Sequence, residues 1–169
     1  MMMKDHLKKQ RFTVGPTLRK MPLTIIPFVL SLFITVQALT FYGITSRIGA
    51  YFTALCGTST TLTTFIYGIT SALSANILNN IPMTVAYVPI AAAASPATQL
   101  PAILSTAIGS NLGANLTPIG ALAGIMWMNI LRDKDVSLGF KEFVKYGLLV
   151  TPVTLLACLG VLAAEFLLF

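Results

Sequence analysis

Between Arg47 and Arg132 the sequence holds no Asp, Glu, Lys, Arg or His. No chain can cover a water-facing surface with a stretch like that. A soluble domain carries about a quarter charged residues, whereas this chain of 169 residues carries 9% and is 56% hydrophobic. In hydrocarbon every backbone N–H and C=O must be bonded internally, which leaves helices or closed barrels as spanning structures. The apolar runs here are of helix length, so the chain reads as an all-α membrane protein.

The charges that remain mark sidedness rather than a binding face. Lys4, Lys8, Lys9, Arg11, Arg19 and Lys20 precede the first apolar run, and Arg132, Lys134, Lys141 and Lys145 lie between later ones. Basic clusters flanking apolar segments belong on the cytoplasmic side. The formal net charge of +6 therefore argues for topology and against nucleic acid. Cys56 and Cys158 have neither metal nor disulfide spacing and read as small hydrophobes, and His6 as a solvated residue of the basic tail. With no nucleophile–base pair, metal cluster or phosphate loop in the sequence, the chain is expected to be no enzyme and to need no cofactor.

Residues 1–20 form a basic cytoplasmic leader, and residues 21–169 a membrane domain. The run over 22–45 is too long for the apolar core of a signal peptide and lacks a clear cleavage site. It predicts a spanning helix leaving the cytoplasm. Residues 51–94 follow as two arms. The first, "CGTSTTLTTFIYGITS", is crowded with hydroxyls and suited to packing on protein. The second is short for a crossing. Because the loop between them lacks Lys and Arg, a re-entrant hairpin fits better than two spans. Residues 101–131 would measure about 45 Å as one straight helix, well beyond a hydrocarbon core of about 30 Å, and predict a broken helix. A charged loop then leads to a last helix over 143–168, with Glu165 near its outer end. Counting crossings puts the N-terminus inside, the C-terminus outside, and every strong basic cluster in the cytoplasm, with Arg47 a mild exception.

Two polar stretches interrupt the apolar segments: "SANILNNIPMTV" at 74–85 and "GSNLGANLTPIG" at 109–120. Irregular backbone survives at membrane depth only where protein buries it or solutes line it. Asn80 precedes Ile81-Pro82 and Thr117 directly precedes Pro118, the pattern of a loop entering a helix. Such a helix N-terminus offers free N–H groups and partial positive charge. Two of them converging would suit an oxyanion or a neutral oxyacid. The candidate binding residues are Ser74, Asn76, Asn79, Asn80 and Pro82 in the first stretch. In the second they are Ser110, Asn111, Gly113, Asn115, Thr117 and Pro118. The competing reading of both stretches is a kinked helix pair tied by amide bonds. Because no ionisable residue sits at mid-depth, a proton relay would have to come from elsewhere.

"SANILNNIPMTV" followed at this distance by "GSNLGANLTPIGALAGIMWMNILR" resembles the arsenical pump membrane protein (arsenite permease) family of the wider ion transporter superfamily. The likeness covers roughly residues 51–169 and corresponds to the C-terminal part of that fold. It implies half of an inverted-repeat transporter, with a hairpin tip at 74–82 and a helix unwound around 111–117. It also implies efflux of arsenite or antimonite, a coupling proton or sodium, and in some cases a cytosolic ATPase as partner. The missing half would come from the rest of a longer chain, a second half-repeat chain or a homodimer. A citrate, carboxylate or sodium/proton carrier of the same fold and a non-transporting membrane subunit are the alternatives.

Overall fold

A computed structural model describes residues 25–136 and 138–168; the basic leader and the first residues of the expected 22–45 helix lie outside the described residues. Seven helices make up the described residues: α1 Ile25–Phe41, α2 Ile44–Cys56, α3 Thr60–Leu78, α4 Asn80–Ala92, α5 Gln99–Gly113, α6 Leu122–Arg132 and α7 Phe140–Leu168. Two of them, α3 and α7, are each long and apolar enough to cross a membrane, and the bent pair α1–α2 would make a third span.

The first apolar run does not continue straight to residue 45. Gly43 adopts φ 71°, a left-handed conformation that other L-residues resist, and the chain bends by 65° there. Residues 44–56, read from sequence as part loop and part hairpin arm, form the separate helix α2. Its buried residues Thr45, Gly49 and Cys56 recur at helical spacing on one face, while Arg47 is exposed on another. The buried face lies on α4, where the Thr53 hydroxyl donates to the Ala93 carbonyl at 2.8 Å.

Ser59 caps α3, its hydroxyl accepting from the Leu62 N–H at 3.2 Å. The hydroxyls of Thr63, Thr64 and Thr70 donate to carbonyls one turn back, so this Thr-rich helix satisfies its own polar atoms. Helices α3 and α4 run antiparallel about a single residue, Asn79, as two cross-arm bonds demonstrate. The Tyr67 hydroxyl donates to the Ile90 carbonyl at 3.1 Å, and nearer the tip Ser74 Oγ lies 3.2 Å from the Tyr87 hydroxyl. With 13 residues, α4 is about 20 Å long, short of a bilayer core.

A seam of small residues joins α3 to α5. Gly68, Ser71, Ala72 and Ala75 are buried on one helix and Ala102, Ser105, Gly109 and Gly113 on the other. A Cβ on Gly109 would enter the space of the Gly68 carbonyl, and one on Gly113 that of the Ala72 backbone. Close backbone approach of this kind is how helices associate where lipid removes the hydrophobic drive. Helix α7 closes the bundle with Leu155, Leu159 and Leu162, Leu159 lying directly over Gly68.

Candidate functional site

Two interruptions of helix meet in the interior: the one-residue break at Asn79 between α3 and α4, and residues 114–121 between α5 and α6. Asn79 has φ 67° and ψ 150°, a strained setting for a residue with a side chain, and it is buried. Its Nδ2 donates to the Ile119 carbonyl at 3.3 Å. The next backbone amide, Asn80 N–H, donates to the Gly120 carbonyl at 3.0 Å. The hairpin tip is thus stitched by main chain and side chain to the second break.

Asn76 completes the seam, using its whole amide. Nδ2 donates to the Ala72 carbonyl at 2.9 Å and to the Gly113 carbonyl at 2.8 Å. Oδ1 accepts from the Thr117 N–H at 3.1 Å and the Thr117 hydroxyl at 2.9 Å. Gly113 ends α5 and Thr117 lies within the break, so one side chain satisfies a released carbonyl and a released N–H together. That is the accounting a buried helix end requires.

The helix starts differ from the simple cap pattern. Asn79 rather than Asn80, which is already helical, stands at the N-cap position of α4 without a side-chain capping bond, and Pro82 is buried in the first turn. Helix α6 begins only at Leu122, after Ala121. Thr117 and Pro118 therefore lie in a turn five and four residues ahead of it, and the Thr117 hydroxyl bonds across to Asn76 instead of capping its own chain. Turn bonds from Gly120 N–H to the Thr117 carbonyl and from Gly124 N–H to the Ala121 carbonyl close this segment.

The remaining sequence candidates divide between two sides. Ser74 pairs with Tyr87 within the hairpin and does not reach the second break. Buried Ser110 bonds back to the Ala107 carbonyl at 3.0 Å. Asn111 and Asn115 are exposed, one turn apart on α5 and its end. Their Nδ2 groups donate to α5 carbonyls, leaving both amide oxygens uncommitted among the described residues. Asn115 opens on a cavity of ≈ 590 Å³ that also touches Leu112, Trp127, Phe143, Tyr146 and Thr154. No charged side chain lines it, so it would take a neutral solute more readily than an ion. Among the described residues, no three His, Cys, Asp or Glu side chains gather as a metal site would require.

A family model described as arsenical pump membrane protein matches residues 8–164. The chain belongs to the arsenical pump membrane protein family. It is 30% identical to the arsenical pump membrane protein of Escherichia coli over 152 residues, 88% of this chain and 35% of that protein. For the Yersinia enterocolitica protein of the same name the identity is 28% over 158 residues, 92% of this chain and 37% of the relative. An uncharacterized transporter of Mycobacterium tuberculosis is 32% identical over 134 residues, 76% of this chain and 31% of that one. The chain thus spans about a third of the length of the curated relatives it matches. No solved structure matches it.

In this arsenical pump family member, the residues that sequence reasoning missed are the ones that hold or flank the seam. Gly120 lies against Asn76 Oδ1, and Gly147 of α7 covers the carbonyls of Asn115 and Leu116. Thr84, Tyr87 and Thr106 line a second cavity between α4 and α5. A glycine within an apolar helix gives no sign of which carbonyl it will meet. Thr106 did carry a signal: it shares a helical face with Gln99 and Ser110.

Proposed function

We propose that this chain forms part of an ion-coupled secondary transporter that exports arsenite or antimonite across the plasma membrane, and that the paired breaks are its share of the solute site. The supporting observation is the Asn76 clip. In a chain of the arsenical pump membrane protein family, it brings two irregular segments together and leaves uncharged amides beside them.

The chemistry fits the cargo. Arsenite is mostly an uncharged trihydroxy acid at neutral pH, so it needs hydrogen-bond donors and acceptors rather than a counter-charge. Exposed Asn111 and Asn115 would contact the solute. Asn76, Asn79, Asn80, Gly113 and Thr117 would hold the two breaks in register, as positioning residues, and Ser74, Pro82, Ser110 and Pro118 would shape the surrounding helix ends. The coupling proton or sodium, a cytosolic ATPase and the complementary half of the site, whether in a longer polypeptide, a second chain or a second copy, belong to this proposal as partners. Counting crossings would place the N-terminus in the cytoplasm and the C-terminus outside.

The test is arsenite efflux and resistance in a sensitive host carrying the gene. Protection that falls at least about tenfold with Asn111→Ala, the effect of losing one hydrogen bond to cargo, at unchanged membrane level, supports the reading. No protection by wild type, or equal protection by both, overturns arsenite transport at this site.

A further inference from the structure

Five residues of α7 follow one another at spacings of four and three: Lys141, Lys145, Leu148, Pro152 and Leu155. That spacing keeps them on one face of the helix, with two cations at its start and apolar side chains beyond. Lys141 and Lys145 are exposed. Glu165 lies about 30 Å past Lys145 along the helix, the thickness of a bilayer core, which sets Lys145 at the level of a membrane surface. Tyr146 beside it is exposed as well, as residues of the interfacial aromatic belt are. Leu148 is then the first side chain of this face to enter hydrocarbon.

From Leu148 onward the face borders a groove of ≈ 310 Å³ between α7 and α3. Leu148, Pro152 and Leu156 form one wall, Ile69 and Leu73 the other, and Thr151 is the one lining residue with a polar side chain. Leu73, Leu148 and Leu156 are exposed, so the groove opens outward. It offers a polar solute no partner, but it gives a hydrocarbon chain contacts along its length. The acidic side chains nearby are engaged or lie on other faces. The Glu142 carboxylate accepts from the Gly139 N–H at 3.0 Å. Asp133 and Asp135 follow α6, which meets α7 through the rings of Trp127 and Phe143, centroids 6.1 Å apart. Phe143 stands about half a turn from either lysine.

We propose that the α3–α7 groove holds an acyl chain of an anionic phospholipid whose phosphate is bound by Lys141 and Lys145. Charge complementarity selects this occupant, because the lysines call for negative charge directly in line with a slot for hydrocarbon. Basic residues at the membrane end of such a slot are how lipid headgroups are held. The floor of the groove gives the lipid a consequence. Ala72 and Leu116 line it; the Ala72 carbonyl accepts from Asn76, and Leu116 adjoins Thr117 in the second break. A bound chain packs against the back of the Asn76 clip. The site does not depend on arsenite transport.

Brominated lipids test this in bilayers, since bromine quenches tryptophan fluorescence only at short range. Trp127 is the single tryptophan, so Trp127→Phe provides a silent background. In it Leu148→Trp and, on the opposite wall, Leu73→Trp should be half-quenched by brominated phosphatidylglycerol at a mole fraction at least about fivefold lower than by brominated phosphatidylcholine. That preference is the worth of one lysine at a membrane surface. Val153→Trp, exposed on α7 but outside the groove, should show no preference. Lys141→Gln with Lys145→Gln should abolish the preference, whereas Arg132→Gln with Lys134→Gln, the same charge removed elsewhere, should keep it. Equal quenching by the two lipids at both walls overturns the site, as does a preference that survives without the lysines or recurs at Val153→Trp. No quenching by either lipid means that polypeptide, a second copy or the remainder of a longer chain, covers the groove, and also overturns it. Loss of the preference on adding soluble glycerol 3-phosphate means that the lysines take a free phosphate, which overturns a lipid as occupant.

Discussion

At the scale of single residues, the side chain that matters most to the architecture is Asn76. Its replacement by Leu would leave the Thr117 N–H without a partner among the described residues and cut the Gly113 carbonyl back to its bond from the Leu116 N–H. An unsatisfied buried polar group costs about 1–3 kcal/mol, so Asn76→Leu is expected to lower the melting temperature of the detergent-solubilised protein by several degrees. Asn115→Leu removes only bonds to the chain's own α5 carbonyls and an exposed amide. It should leave the melting temperature within about one degree while lowering arsenite efflux. Equal melting of Asn76→Leu and wild type would remove the clip from the account. Asn76 stood among the candidates on sequence grounds, but as a solute ligand. Its long-range bonds are to chain 37 and 41 residues away, a pairing no local pattern announces.

At the scale of elements, the α3–α5 seam is the tightest contact and the least tolerant one. Gly109→Ala would drive a methyl group into the Gly68 backbone, which cannot rotate away as a side chain could. Such overpacking costs about 1–3 kcal/mol. Gly160 on α7 has nothing within 4 Å of where a Cβ would stand. Gly160→Ala should be neutral or stabilise by about 0.5–1 kcal/mol through helix propensity. Thermal melts of the two variants, read side by side, distinguish a seam from mere glycine content. The apolar runs and their polar interruptions were legible in the sequence because hydrocarbon forbids unbonded backbone. Less legible were the exact helix ends. Proline after Thr117 signals a helix start, but the Thr117 hydroxyl is drawn to Asn76 and the helix waits until Leu122. Gly43 likewise gave no advance sign that it would turn left-handed and split one expected helix into two, since glycine tolerates a helical conformation as well.

At the scale of the whole molecule, charge defines its two ends. Lys141 and Lys145 open α7 and Glu165 lies near its other end, twenty residues or about 30 Å beyond Lys145, the depth of a bilayer core. Single cysteines at Lys141 and Glu165, without the native cysteines, should react with an impermeant thiol reagent from opposite faces of sealed vesicles. Labelling of both from one face would refute the proposed orientation. Synthesis adds an order of events to this picture. Domains emerge from the ribosome N-terminus first, at about 5–20 residues per second, so α3 and α4 leave the ribosome before residues 113–120 do. Until those residues arrive, the amides of Asn76 and Asn79 have no long-range partners, and the tip cannot settle in lipid by itself. A chain whose residues 113–120 fail to dock would keep that polar edge unpaired, which makes the late segment a checkpoint for the early one.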